Sequence, residues 1–251
     1  MKVCVTIISI GKLYIEEFEK NFKPSIVSYC TKYGYDLKIF NDFLDTSKKH
    51  PSLISFQKAL IPSQDCMKEY DLIVVMDADI YITPIAPPIH TLDLNGKIGM
   101  VSEFNQILNK EEFEIIKTAS GIDSNYYNTF GFEDELKTEL YLNSGLMICN
   151  PVLHGDFLKN IYEKYSEKAL NHPRGFHYEQ GSIGYEIIRN NMVTVIPNDW
   201  NHIYFFDYVL KKSHKPFFIH FAGIRKSDRE TALNTFLIAH SLKGRLTWRK
   251  H

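Results

Sequence analysis

The sequence predicts an α/β protein built on a mixed, mainly parallel central sheet flanked by helices. Three observations carry this reading. Strand-like and helix-like segments alternate through the first 80 residues, Leu72–Met76 is a continuous apolar run of strand length, and further apolar runs of that length recur toward the C-terminal end. Such alternation favours parallel strands joined by crossovers, and ligands of such sheets gather at the carboxyl ends of the strands.

The elements follow in order. Val3 to Ile10 is rich in β-branched residues and ends at Gly11; Tyr14 to Tyr33 then carries helical apolar spacing at Ile15, Phe18, Phe22, Ile26 and Val27, with Pro24 expected to kink or interrupt it. Gly34 closes the segment and Tyr35 to Phe40 alternates as a second strand. Ser52 to Tyr70 is expected to be helical up to Pro62, followed by the strand Asp71 to Met76. Later strands are expected at Ile98 to Ser102, Leu140 to Cys149, Val193 to Pro197 and Pro216 to His220, with helices at Asp156 to Leu170, Gln180 to Arg189 and Ser227 to Leu242. The irregular stretch Glu103 to Leu136 holds Gly121, Ile122, Asp123, Ser124 and Asn125 and the aromatics Tyr126, Tyr127, Phe130 and Phe132. It reads either as an acceptor-binding or lid segment or as an aromatic mini-core under a loop.

Composition excludes several classes. A hydrophobic content of 44% with 24% charged residues suits a folded domain, and a net charge of −1 offers no field for wrapping nucleic acid. The cysteines Cys4, Cys30, Cys66 and Cys149 are widely spaced, which points to reduced thiols in a cytoplasmic protein rather than a zinc site or disulfide framework. No segment approaches the roughly 20 apolar residues of a membrane helix. The basic end, Lys243 to His251 with Trp248, reads as a solvated tail or as a weak peripheral contact with an anionic membrane surface.

The chemistry centres on Asp77-Ala78-Asp79. The triplet follows the buried-type strand and precedes the apolar Ile80-Tyr81-Ile82, which places two carboxylates at a strand-to-loop junction. Carboxylates so close repel unless neutralised, and a hard dication such as Mn2+ or Mg2+ does this while leaving positions for phosphate oxygens. The competing reading makes Asp77 a turn residue and Asp79 a solvated charge. His220 ends a strand and could meet the same metal; Gly223 would let backbone approach a phosphate, and Lys226 offers it a point charge, with Arg225 at the surface. Asn143-Ser144-Gly145 interrupts an apolar strand, as expected where a hydroxylated ligand packs on a sheet or where a β-bulge falls. Glu179 and Gln180 open a helix, where an acidic residue is favoured for structural reasons alone.

Taken together, these motifs resemble the GT-A superfamily of glycosyltransferases, in particular its retaining families usually numbered 8 and 34. Tyr70 to Asp79 looks like the strand leading into the D-x-D motif, Leu142 to Ile148 is similar to the N-[ST]-G strand lining the sugar site, Tyr178-Glu179-Gln180 resembles the acidic-Gln pair, and His220 to Lys226 matches H-x-x-G-x-x-K. The resemblance spans about Val3 to Lys226, and departs from family 8 at Ser227, where Pro-Trp often follows, and at Glu179-Gln180, where Asp-Gln is usual. It implies one domain over 1–251, with a nucleotide-binding half to about 102, an acceptor and catalytic half to about 226, and a closing helix and tail. It implies a nucleotide-diphosphate-sugar donor held by Ser9, Lys58, Asp77, Ala78, Asp79, Gly223 and Lys226, with Asp77, Asp79 and His220 on the metal. Asn143, Glu179 and Gln180 would be catalytic, transferring the sugar with retention to a glycan, glycolipid or protein hydroxyl. Attack on the leaving-group face and double displacement through Glu179 both stay open.

Three other readings compete. A nucleotidyltransferase would carry a Gly-rich basic loop after the first strand, which Ile10-Gly11-Lys12-Leu13-Tyr14 does not. A phosphatase of the haloacid-dehalogenase type carries its D-x-D at the first strand rather than the third. A non-catalytic sugar-nucleotide-binding scaffold would not need Asp77, Asp79, His220 and Lys226 together.

Overall fold

The computed structural model describes residues 1–107, 109–120, 126–173 and 177–247. In chain order the elements are β1 (Val3–Ile8), α1 (Lys12–Glu17), α2 (Lys23–Tyr33), β2 (Asp36–Phe40), β3 (Leu72–Met76), β4 (Ile80–Ile82), β5 (Ile98–Ser102), α3 (Lys110–Ser120), β6 (Leu142–Cys149), α4 (Pro151–Ala169), α5 (His177–Arg189), β7 (Val193–Val195), β8 (His202–Ile203), α6 (Tyr204–Leu210), β9 (Phe218–His220) and α7 (Lys226–Thr247).

Six strands form the central sheet in the order β2-β1-β3-β6-β5-β7, and only β6 runs against the rest. Side chains alternate across it. Cys4 and Ile8 of β1 join a core with the segment Leu53 to Met67 and with Leu158, Ile161, Tyr162, Ile183 and Ile187 of α4 and α5. Val3, Val5 and Ile7 face the other way, onto Ile26 and Tyr29 of α2 and onto a second, three-stranded sheet of order β4-β9-β8. This is the two-layer burial expected of a sheet with both faces covered.

The structure sharpens or corrects the sequence reading at four places. Pro24 interrupts the expected helix rather than kinking it: a π turn at Phe18–Phe22 joins α1 to α2, Pro24 lies in the first turn of α2 where its missing N–H is harmless, and Ser25 Oγ donates to Phe22 O at 2.8 Å. Ser52 to Tyr70 forms three 3-10 turns, Pro51–Leu53, Ser55–Leu60 and Asp65–Met67, rather than an α-helix. The fully buried Leu53, Phe56 and Ala59 are spaced by three, which aligns them on one ridge of a 3-10 turn, and Pro51 and Pro62 bound the segment. Ile80–Ile82 leaves the main sheet to pair antiparallel with β9. The last helix continues through Gly244 to Thr247, so Lys243 to Thr247 is helical rather than a tail; Trp248 to His251 lie outside the described residues, as do Gly121 to Asn125.

Of the two readings of the aromatic stretch, the structure favours packing. Tyr126, Tyr127 and Phe130 are buried, and Phe130 and Tyr127 lie so close to α5 that a Cβ on Gly181 or Gly184 would fall within 3 Å of them. Among the described residues no helix is long and apolar enough to cross a membrane.

Gly34 caps α2 in the left-handed region at φ 69°, and a Cβ at this position would meet no described atom within 4 Å, so the cost of substitution is purely conformational. Gly34→Ala is expected to destabilise the protein by about 1 kcal/mol without altering activity, as read from denaturant unfolding.

Candidate active site

The site lies where β3 ends. Its last residue, Met76, is followed by Asp77, whose backbone N–H donates to Gly145 O at 2.8 Å and so ties the D-x-D turn to β6. The chain then enters β4, where Ile80 pairs with His220 of β9, and Phe221 N donates to Asp79 O at 3.1 Å. Strand pairing thus carries His220 across some 140 residues of sequence to the two aspartates. Ligand atoms of Asp77, Asp79 and His220 all lie within 4.8 Å of one another, with His220 Nε2 at 3.2 Å from Asp79 Oδ1 and 3.7 Å from Asp77 Oδ2. Two carboxylate oxygens and one imidazole nitrogen converging in this way fit a hard or borderline dication.

The charges around the triplet are already partly paired. Lys58 is buried, and its Nζ lies 2.5 Å from Asp77 Oδ1, 3.6 Å from Glu179 Oε1 and 3.3 Å from Ser144 O, to which it donates. Burial pulls its pKa down, but Asp77 and Glu179 outweigh burial and raise it, so Lys58 remains a cation. It is therefore placed behind Asp77, in a 3-10 turn rather than on a helix. Burial likewise works to raise the Asp79 carboxyl, yet His220 and Arg229 hold it well below the usual carboxylate range; Arg229 Nη2 is 3.0 Å from Asp79 Oδ2.

Beside this group lies a polar network on β6. Asn143 Nδ2 donates to Glu103 Oε1 at 2.6 Å, and Asn143 Oδ1 accepts from Gly145 N and Asn201 Nδ2, each at 2.8 Å. Gln180 bridges the same parts, its Nε2 donating to Glu103 Oε1 and its Oε1 accepting from Ser144 N, both at 3.3 Å. Burial pushes Glu103 up to about 7, and Glu179 up to about 7 with Lys58 offsetting only part of the cost.

The structure therefore brings together Lys58, Asp77, Asp79, Asn143, Glu179, Gln180 and His220, with Ala78 between the aspartates. Ser9 follows β1 at the same sheet edge, two residues past the Ile7–Met76 pair. Gly223 has φ 77° in the turn after β9, and Lys226 Nζ sits 4.3 Å above the ring of Tyr14. Four buried side-chain atoms in this set, Ser9 Oγ, Glu179 Oε1, His220 Nδ1 and Lys226 Nζ, lack a hydrogen-bond partner among the described residues. Unpaired buried polar atoms are rare in folded proteins, so their concentration here marks a place built for a polar ligand.

Sequence reasoning missed Glu103, Asn201 and Arg229. Glu103 stands directly after β5 as Asp77 stands after β3, and that strand-end position is the signal that could have found it. Asn201 and Arg229 belong to no pattern visible in the chain.

No family model matches the sequence, and no curated protein matches it. Solved structures do. The chain is similar to a glycosyltransferase involved in the glycosylation of the major capsid of PBCV-1, with a TM-score of 0.61 and 16% identity over 92% of this chain and 99% of that one. It is also similar to the apo form of the bifunctional glycosyltransferase WbbM, with a TM-score of 0.58 and 15% identity over 92% of this chain and 49% of that one. Similarity to the galactosyltransferase LgtC in complex with donor and acceptor sugar analogs has a TM-score of 0.57 and 9% identity, over 92% of this chain and 95% of that one. The fold is that of the GT-A glycosyltransferases, as the motifs implied.

Glu103 offers a test of the network. Between the ordinary carboxyl value and about 7 the folded protein holds a proton that the unfolded chain has lost, so this group's contribution to stability declines as pH rises through that window. Glu103→Gln, whose amide oxygen can still accept from Asn143 and Gln180, is expected to match the wild type at pH 5. At pH 8 in chelator it should be more stable, by roughly 1–3 kcal/mol in urea unfolding.

Proposed function

We propose that the protein transfers a sugar from a nucleotide-diphosphate sugar to an acceptor hydroxyl of a glycan, glycolipid or protein, with Mn2+ or Mg2+ held by Asp77, Asp79 and His220. The observation that carries this reading is the convergence of those three side chains, within 4.8 Å, beside unpaired buried polar atoms of Ser9, Glu179, His220 and Lys226. A bound dication would supply charge stabilisation to the departing diphosphate.

The other roles follow from what each group can donate or accept. Lys226 Nζ has no hydrogen-bond partner among the described residues and meets the leaving phosphate, while Gly223, in a left-handed turn, leaves the backbone bare for close approach. Asn143, Gln180 and Glu103 form a fixed set of donors and acceptors for sugar hydroxyls. Breaking the bond at the anomeric carbon leaves oxocarbenium character on the sugar, which Glu179 and the amide oxygens of Asn143 and Gln180 stabilise. Glu179 is 4% exposed, shares Lys58 with Asp77 and is pushed up to about 7. This placement is compatible both with attack from the leaving-group face and with double displacement through Glu179, each giving retention. Residues 1–102 would form the nucleotide-binding half and 103–226 the acceptor and catalytic half. A cytoplasmic location with peripheral membrane contact through the basic end belongs to the same proposal.

Release of free nucleoside diphosphate from a panel of nucleotide sugars, measured with Mn2+ and again with chelator, tests it. Metal-dependent release from at least one donor is expected. Failure of every donor to bind or turn over with metal present would sink the proposal.

A further inference from the structure

A second group of ligating side chains lies on the other side of the small sheet. β8 pairs parallel with β9 so that His202 stands opposite Ile219 and Ile203 opposite His220. Because side chains alternate along a strand, His202 is sent to the face opposite His220. There His202 Nε2 lies 3.0 Å from Asp207 Oδ1, and His214 Nδ1 lies 2.6 Å from the same oxygen. The ligating atoms of all three residues fall within 4.8 Å of one another. The cluster opens on a cleft of about 590 Å³ lined by Asn105, Gln106, Asn198, Asp199, His202 and His214 among others.

We propose that His202, Asp207 and His214 form a second metal site, for a zinc-type divalent ion, distinct from the Asp77, Asp79 and His220 group.

Three observations support it. First, His202 is 6% exposed and its Nε2 has no hydrogen-bond partner among the described residues, although Asp207 Oδ1 is only 3.0 Å away. The nitrogen and oxygen face one another without the alignment of a hydrogen bond, as two ligands of one ion do. Second, two ligands at about 2.05 Å from a tetrahedral zinc stand about 3.3 Å apart, so the 3.0 Å His202–Asp207 separation needs to open by about 0.3 Å, and the ion would replace the 2.6 Å hydrogen bond between His214 and Asp207, which opens by about 0.7 Å. Third, the donor chemistry differs between the two groups. Two imidazoles and one carboxylate suit zinc or cobalt, whereas two carboxylates and one imidazole suit Mn2+ or Mg2+.

The ligands come from the start of β8, the first turn of α6 and the loop that returns the chain to β9. A bound ion therefore clamps this loop against the strand beside the one that carries His220, and leaves one tetrahedral position toward the cleft.

The test titrates the protein with Zn2+ in excess Mg2+, alongside Asp79→Asn and, each built on Asp79→Asn, His214→Ala and His214→Cys. His214 is 45% exposed in its side chain, so its replacement leaves the interior intact, and thermal unfolding of the metal-free proteins checks this. Asp79→Asn is expected to bind one equivalent of Zn2+ and the wild type at least one, and Co2+ in its place should give Asp79→Asn the visible bands of a tetrahedral site. His214→Ala should weaken Zn2+ binding by about 100-fold or more and abolish the bands, because loss of one of three ligands leaves too few to hold the ion. His214→Cys should retain binding and add a near-ultraviolet thiolate-to-cobalt band. Absence of Zn2+ binding by the Asp79→Asn protein, or unchanged binding by His214→Ala, would overturn the proposal.

Discussion

Asp79→Asn is expected to lower metal-dependent turnover by about 1,000-fold, with the loss of metal-dependent donor binding seen in calorimetry. The substitution preserves shape and removes one charge. In the wild type that charge persists throughout the working pH range, because His220 and Arg229 hold the carboxyl low against the effect of burial. The Asn variant leaves Arg229 and His220 facing a neutral amide, which should cost on the order of 1–3 kcal/mol in the metal-free protein. Far-UV circular dichroism should remain native. The sign of the pH dependence is also set: a depressed carboxyl stabilises the fold above its ordinary value and loses that contribution as pH falls toward its folded value. The wild type should therefore lose stability in acid more steeply than Asp79→Asn. Unchanged turnover in the variant would show that this carboxylate is not a ligand.

Gly145→Ala is the second large effect, and it acts through shape rather than charge. A Cβ on Gly145 would lie 2.1 Å from His220 Cε1, 2.7 Å from His220 Nδ1 and 2.8 Å from Asn143 Oδ1. One methyl group therefore displaces the His220 imidazole and the amide that organises the Glu103 network. Turnover should fall by about 100-fold or more, with an overpacking cost of about 1–3 kcal/mol in unfolding experiments. A crystal structure of the variant with His220 unmoved, or undiminished activity, would refute this role of the glycine.

The same glycine marks the limit of what the sequence alone makes legible. Gly145 stands out there as a break in an apolar strand, open to a ligand or a bulge as its cause. The pairing of β5 with β6 is indeed irregular, shifting between Gly99 and Val101, but the tightest constraint on Gly145 is His220, which arrives from a different sheet. Strand alternation, the D-x-D turn and the strand-end histidine were legible because each is written in a short run of residues. Lys58 was legible as a basic residue near the donor motif but not as a buried partner of Asp77, since burial depends on elements packed from afar. Glu103, Asn201 and Arg229 owe their places to turns and to helix docking, for which no local pattern exists. The expected helix from Ser52 up to Pro62 failed as an α-helix for a related reason. Its apolar spacing serves a 3-10 ridge as well as an α-helix, and the prolines at both ends limited the length over which the two could be told apart.

Arg229 reaches Asp79 from α7 while its other nitrogens hold Ile224 O, at 3.2 Å, and lie 3.6 Å from Glu17 of α1. The aspartate thus has a resident counter-charge anchored at three points. Binding of the proposed dication would then be an exchange between two cations for one carboxylate, and the affinity measured would be the difference between two pairings. The guanidinium would act as an internal competitor that sets a threshold concentration of metal, and a neutral residue in its place would lower that threshold while loosening the docking of α7.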